Sequence, residues 1–353
     1  MISIILPIRN EANFIRQSLD AILAQDAPMD QIEILVADGM STDGTREIVE
    51  EYQKNQPNIH LVDNPGKIVP KGINAALRHA KGDIVIRVDG HTLIAPDYVR
   101  KCVDTLNRTK ADNVGGCMSA IGTTAFGRAV ALATSTPFGI GNSQFHYSQN
   151  EVETDSVYMG AWPKNVFKRI GLFDEELVRD QDDEFNYRLR EYGGKIVLNP
   201  EIRSIYSTRS TPKSLWKQYF QYGFYKVRVL QKHPRQMSLR QFVPPVFVLS
   251  LLGSIIVSLF NRWGVWLLAL TAGSYLLANL AASVNIAARK GWRHLLVLPA
   301  AFAIIHLSYG LGFIAGLFKF WNRWGDKIGK VQSLNLFQDD NKKVYNVSID
   351  ETK

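Results

Sequence analysis

Asp89 and His91, separated by a single glycine, close the run Gly82-Asp83-Ile84-Val85-Ile86-Arg87-Val88-Asp89-Gly90-His91. A carboxylate and an imidazole two positions apart are a donor set for a divalent metal, and equally suit a strand terminus that binds nothing. The β-branched stretch before them reads as a buried strand, and open α/β sheets place ligands at strand carboxyl ends. A second acid, Asp38, ends a similar run, Ile32-Glu33-Ile34-Leu35-Val36-Ala37. Farther on, Asp180-Gln181-Asp182-Asp183-Glu184 crowds acids into one turn before a helical stretch. Acids there suit the helix dipole whatever else they do. Crowding should also raise at least one carboxyl pKa, which favours a general base.

The elements that position these residues alternate at a regular pace. Residues 2–6 read as a strand ended by Pro7, and Asn10-Glu11 opens a helix carrying Phe14, Ile15, Leu19, Ile22 and Leu23 at helical spacing. Strand 32–37 leads through Ser41-Thr42-Asp43-Gly44-Thr45 to a helix with Ile48, Val49 and Tyr52. A third strand at 59–62, the turn Asn64-Pro65-Gly66-Lys67, a helix from Pro70 to Ala80, strand 82–88 and a helix from Pro96 follow. Such alternation implies a doubly wound α/β sheet, with Asp38 and Asp89 on one rim. Beyond Asn107 a strand is expected at 113–121, a short helix at 124–133, a mobile loop at 134–157 and a helix at 164–170. The first turn reads Pro7-Ile8-Arg9-Asn10-Glu11, without the glycines of a dinucleotide site.

The 353 residues allow one large domain and an appendage. Cys102 and Cys117 make no disulfide framework and read as small core residues. The net charge of +8 is uneven: from Arg203 to Arg240 there are nine Lys or Arg and no Asp or Glu. Three apolar runs follow, at about 242–260, 264–287 and 295–318, each near the ~20 residues of a membrane span, with tryptophans at their ends. Met1 leads directly into a strand, without a secretory signal. The expected order is a catalytic domain at 1–210, basic and aromatic interfacial helices at 211–241, a membrane domain at 242–320 and a polar tail at 321–353. Aromatic residues among basic ones also stack on single strands of nucleic acid, but beside three apolar runs a membrane interface is favoured and no nucleic acid is expected. Arg289, Lys290 and Arg293 predict a hairpin with its connection on the cytoplasmic side. A third full span would carry Lys319, Arg323, Lys327 and Lys330 outside, so the third run is left open between spanning and re-entrant.

Taken in order, Pro7-Ile8-Arg9-Asn10-Glu11, Asp38 to Thr45, Val88-Asp89-Gly90-His91, Gly171-Leu172-Phe173-Asp174-Glu175 and Gln181-Asp182-Asp183-Glu184 with Arg188-Leu189 resemble the inverting family 2 glycosyltransferases of GT-A fold. The likeness covers roughly residues 1–230 and is nearest to membrane-attached enzymes of succinoglycan-type exopolysaccharide assembly. It implies a mixed, mostly parallel sheet and a nucleotide-sugar donor, a UDP-sugar first. Asp38 would meet its base or ribose, Pro7, Arg9, Asn10 and Glu11 would line the same pocket, and Lys67 would face the diphosphate. Asp89 would hold donor and metal, with His91 where a second Asp is commoner; imidazole leans toward Mn²⁺ over Mg²⁺. Asp182 falls on the catalytic base, with Glu184, Trp162 and Gln218 as supporting or acceptor residues. Gln218-Tyr219-Phe220-Gln221-Tyr222 departs from the Gln-x-x-Arg-Trp of processive relatives, which implies single addition.

The implied reaction is transfer to a polyprenyl-diphosphate-linked saccharide at the inner (cytoplasmic) membrane, by a multi-pass protein with its catalytic domain in the cytoplasm, alongside other polysaccharide-assembly proteins. Loading of polyprenyl monophosphate is the alternative within this chemistry. A sugar-phosphate nucleotidyltransferase, which carries a Gly-rich basic loop missing here, and a non-catalytic membrane scaffold are the alternatives of other classes.

Overall fold

In the computed structural model, residues 1–141 and 148–334 are described. Six strands share one direction: β1 (Ile2–Ile8), β2 (Ile32–Asp38), β3 (Ile59–Asp63), β4 (Ile84–Arg87), β6 (Asn113–Ile121) and β9 (Ile196–Ser207). β5 (Thr92–Ile94), β7 (Val152–Glu153) and β8 (Tyr158–Pro163) run against them. The sheet order is β3-β2-β1-β4-β8-β6-β9-β5, with β7 against β9. This is the mixed, mostly parallel sheet implied above. Helices α1 (Ile15–Leu23), α2 (Thr45–Asn55), α3 (Val69–His79) and α4 (Tyr98–Thr109) make the crossovers.

Both faces of the sheet are covered, so its strands are apolar throughout. One core gathers Ile4, Leu6, Ile34, Val36 and Ile86 with Leu19 and Val99; the other sets Ile5, Leu35 and Val85 against Ile73 and Leu77. Pro7 does not end β1, which runs on to Ile8. Pairing with β4 stops at Ile5, leaving β2 as the one neighbour there, and a residue without an N–H is tolerated where a strand loses a partner. The strand expected over 82–88 is shorter, and Thr92–Ile94 returns to the sheet beside β9.

After β6 come α5 (Ala125–Thr134) and α6 (Pro137–Ile140), so ordered helix begins the segment expected as a loop; residues 142–147 of that segment lie outside the described residues. α7 (Asn165–Ile170) and α8 (Gln181–Glu191) flank the acidic turn. α9 (Pro212–Lys232) is one helix with a purpose the charge count hides. Lys226, Arg228 and Lys232 point inward, to Asp180 and Asp183, to Glu176, and to Asp174. These cations are spent on the catalytic domain rather than offered to a membrane.

α10 (Val243–Ser258), α11 (Arg262–Lys290) and α12 (Leu298–Lys319) follow, and three stretches, Leu239–Ser258, Arg262–Lys290 and Leu298–Lys319, are long and apolar enough to cross a membrane. The third apolar run is therefore a single continuous helix. It also packs along α9: a methyl group on Gly223 would lie 2.0 Å from the Tyr309 carbonyl oxygen, and one on Gly312 would lie 2.1 Å from that of Phe220. The described tail beyond α12 folds back on the catalytic domain, where Lys330 N donates to Asp174 and Leu172 N to the Gln332 carbonyl.

Candidate active site

The loops after β1, β2, β3 and β4 open on one rim of the sheet, and a cavity of 1410 Å³ begins there. Pro7, Arg9, Glu11, Lys67, Asp89, His91, Asp182 and Gln218 all line it. Four expected residues do not. Asp38 is fully buried and spent on its own turn, accepting from Ser41 N at 3.2 Å and Ser41 Oγ at 2.5 Å. Asn10, at φ 56°, likewise holds that turn, its Oδ1 accepting from Thr42 N at 3.0 Å. Trp162 is 2% exposed and packs edge-on against Phe167, Phe173 and Phe185 in the core, so it is no acceptor platform. Glu184 is 1% exposed and tied to Arg188 and His233, whose charges outweigh burial and hold its carboxyl at about 2. Its work is structural: Arg188 donates onward to the carbonyls of Ile170 and Leu172, fastening the Gly171–Glu175 turn to α8.

The centre of the site is a residue that motif reading passed over. Arg87, the last residue of β4, is buried, and its Nε donates to Asp89 Oδ1 at 2.8 Å while Nη1 pairs with Asp182. The signal was present as the one cation in an otherwise apolar strand, two residues before Asp89 and so on the same strand face. Burial pulls the guanidinium pKa down, but Asp182 and Asp89 outweigh it and raise it above its ordinary value. Asp182, with 33% of its side chain open, is pushed up to about 6 by burial; Asp89 and Asp183 add to the rise and Arg87 resists it. A carboxyl poised there takes up a proton reversibly near neutral pH.

Asp180 and Asp183 are handled separately. Lys226, 5% exposed, lies 3.0 Å from Asp180 and also pairs with Asp183. Burial carries Asp180 to about 7 against that pairing, whereas for Asp183 the ammonium overcomes burial and lowers the pKa. Lys67 and Asp180 sit at φ 59° and 60°, left-handed backbone that side chains adopt at a cost, and both line the cavity.

His91 Nδ1 lies 3.0 Å from Glu11 Oε1, and among the described residues Nε2 has no hydrogen-bond partner. A carboxylate on one ring nitrogen with the other free is how metal-binding imidazoles are oriented. Among the described residues no three His, Cys, Asp or Glu side chains gather as a closed metal site. Asp89 and His91 therefore fit a cation whose remaining ligands come from a phosphate-bearing substrate, a common arrangement for hard divalent ions.

Comparison with known proteins agrees with this layout. The glycosyl transferase family 2 model matches residues 3–171. A protein of Methanococcus voltae, "dolichyl N-acetyl-alpha-D-glucosaminyl phosphate 3-beta-D-2,3-diacetamido-2,3-dideoxy-beta-D-glucuronosyltransferase", is 30% identical over 326 residues, 90% of this chain and 97% of that one. The chain belongs to glycosyltransferase family 2. The succinoglycan biosynthesis protein ExoA of Rhizobium meliloti (strain 1021) is 28% identical over 322 residues, 91% of this chain and 96% of that one. Among solved structures, the mannosyltransferase PcManGT of Pyrobaculum calidifontis, in complex with GDP-Man and Mn²⁺, shares the fold at TM-score 0.56 and 20% identity, over 90% of this chain and 87% of that one. This family 2 transferase uses a nucleotide-sugar and carries three helices long and apolar enough to cross a membrane.

The buried Lys226 supports both acids at the start of α8. Removing one partner of such a pair costs about 3–5 kcal/mol, so Lys226→Met should lower the melting point of the full chain in detergent by about 10 °C. An unchanged melting point would show that the pair carries no such burden.

Proposed function

We propose that this transferase moves one sugar from a UDP-sugar to a lipid-linked saccharide in cell-surface polysaccharide assembly, with inversion and with Asp182 as general base. The observation that carries the reading is the Arg87 bridge, which places the one carboxyl tuned to about 6 beside the carboxylate of the candidate cation pair. The Asp182 carboxylate takes the proton of an acceptor hydroxyl as its oxygen attacks the anomeric carbon from the side opposite the leaving diphosphate. One in-line displacement inverts the centre, giving a β-linked product from an α-linked donor. Arg87 fixes Asp182 relative to Asp89, Glu11 aims the His91 ring, and Arg9 and Lys67 face the donor phosphates from the opposite wall. A divalent cation on Asp89 and His91, Mn²⁺ before Mg²⁺ for the imidazole, would supply Lewis-acid neutralisation of the departing diphosphate. The names of the two full-length relatives, one in succinoglycan synthesis and one with a dolichyl-linked acceptor, support the lipid-linked substrate. Asp182→Asn should keep the fold and bind donor, yet lose transfer of labelled sugar to lipid acceptor by about 10²–10⁴-fold. Full activity in that variant would remove Asp182 from the mechanism.

The membrane arrangement follows from what touches α12. Its first turns pack with Ala129, Val130 and Ala133 of α5 and with Leu215 at the start of α9; Phe320 at its end packs with Val227, and Arg323 just beyond pairs with Glu176. Both ends thus rest on the catalytic side, alongside a helix bearing Lys213, Lys217, Lys226, Arg228 and Lys232. Charged residues are rare and costly within spans, so α9 does not read as one, and α12 lies along it. The reading is a two-helix hairpin of α10 and α11 in the inner membrane, with α12 in the plane of its cytoplasmic face, so Lys319 and Arg323 stay with the other cations. Single cysteines at Asn261, Arg293 and Lys319 test it by impermeant thiol labelling. Asn261→Cys should label from outside alone, and the other two from the catalytic side. Labelling of Arg293→Cys and Lys319→Cys from opposite sides would make α12 a span.

A further inference from the structure

Beyond the rim, the cavity holds two more cations, of which Arg179 acts on the Asp180 carboxylate only through space. Arg179 and Arg209 both line it, both are half-buried, and among the described residues neither forms an ion pair. Each is tied to α9 by an uncharged partner: Arg209 Nε donates to Gln218 Oε1 at 3.3 Å, and Arg179 Nε to Gln221 Oε1 at 3.3 Å. Residues three apart on a helix are neighbours, so the two glutamines anchor the arginines at adjacent positions of α9, and both arginines line the cavity. Because Nε makes the anchor, the terminal N–H groups of each fork are without a hydrogen-bond partner among the described residues. The other arginines on this side are consumed, Arg87 by Asp89 and Asp182 and Arg240 by Asp155. Asp180, next to Arg179 in sequence, is held by Lys226.

The position of the pair says which anion it meets. Gln218 Nε2 donates to Tyr206 OH at 3.3 Å, and the Tyr206 ring stands edge-on to His91 with centroids 5.5 Å apart. Gln218, which holds Arg209, is thus one aromatic ring from the candidate cation site, whereas Arg9 and Lys67 stand on the loops after β1 and β3. In the other direction the same cavity runs between α10 and α11, walled by Val246, Phe247, Leu270 and Ser274. A ligand lying here needs an anionic group with an apolar tail leading into the membrane hairpin. Planar guanidinium forks bind phosphate oxygens in pairs, which suits a phosphate or diphosphate ester.

We propose that Arg179 and Arg209 form a second anion site, separate from the donor phosphates, that grips the phosphate or diphosphate of the lipid acceptor while its hydrocarbon lies between α10 and α11. Naming that ligand the acceptor rests on the transfer reading above; the binding of a lipid phosphate does not. The test uses the full chain in phosphatidylcholine nanodiscs with EDTA, against empty nanodiscs, and measures binding of farnesyl diphosphate and of inorganic pyrophosphate by calorimetry. Farnesyl diphosphate should bind at least about tenfold tighter than pyrophosphate, and Arg179→Gln with Arg209→Gln should weaken both at least about tenfold. Lys67→Gln should leave farnesyl diphosphate binding within about twofold. Gln218→Leu with Gln221→Leu, which keeps both charges but frees the forks, should give an intermediate loss, and covers the case in which the double arginine variant does not fold. Undiminished binding in the folded arginine variant would overturn the site, and an equal loss in Lys67→Gln would return the anion to the donor wall. Equal affinity for the two probes would make it a site for free phosphate and overturn the lipid assignment. Loss of binding in the arginine variant together with full transfer by Asp182→Asn would remove the base assignment and leave the anion site standing.

Discussion

A buried guanidinium is the constraint around which this active site is arranged. Arg87 ends a central strand with 5% of its side chain exposed, and a charge taken that far from water costs several kcal/mol unless it is paired and hydrogen-bonded. Asp89 from the next turn and Asp182 from α8, 95 residues on, meet that requirement together. One arginine therefore sets the distance between the candidate cation pair and the candidate base. It also sets their electrostatics. Without it two carboxylates would face each other in a half-closed cavity; with it, Asp182 rests near neutrality instead of being driven higher by Asp89 and Asp183.

A second layer of charge holds the frame. Asp174, Glu176, Asp180 and Asp183 lie on and around the turn before α8, and Lys232, Arg228 and Lys226 reach them from α9. The fully buried Lys232–Asp174 pair and the Arg228–Glu176 pair couple the turn to the helix, and through Asp326 and Arg323 to the segment after α12. The pairs between α9 and the acidic turn are shielded from solvent and resist salt better than surface ones, whereas Arg323 and Asp326, which reach the segment after α12, are partly exposed. One face of α9 packs on α12 and another grips the acidic turn, so the position of Asp182 depends on how α9 and α12 sit together.

The strands and their acidic ends were legible because short β-branched runs bounded by Gly, Pro and Asp have few other solutions, and the order of weak motifs around Asp89 and Asp182 narrowed the chemistry. What escaped had a common cause: it depends on which residues distant in sequence come together. The cations between Arg203 and Arg240 looked like a surface for lipid, since nothing local shows Asp174 or Glu176 folding over them. Trp162, expected as a supporting or acceptor residue, is instead enclosed by three phenylalanines. The third apolar run matches a membrane span by length, and its packing along α9 is invisible to that criterion. Arg87 was passed over because a lone cation in a strand has no pattern until both its partners are in place.

The coupling of Arg87 to Asp182 is the central claim, and the pH dependence of kcat/KM in the wild type and in Arg87→Met tests it most directly. A base near 6 loses activity as the pH falls through about 6, where its carboxyl takes up a proton. Removing the guanidinium withdraws the charge that holds this ionisation down, so the acidic limb should move to higher pH in Arg87→Met, with a lower rate at pH 7. An acidic limb at the same pH in both proteins, or none between pH 5 and 7 in the wild type, would contradict the account.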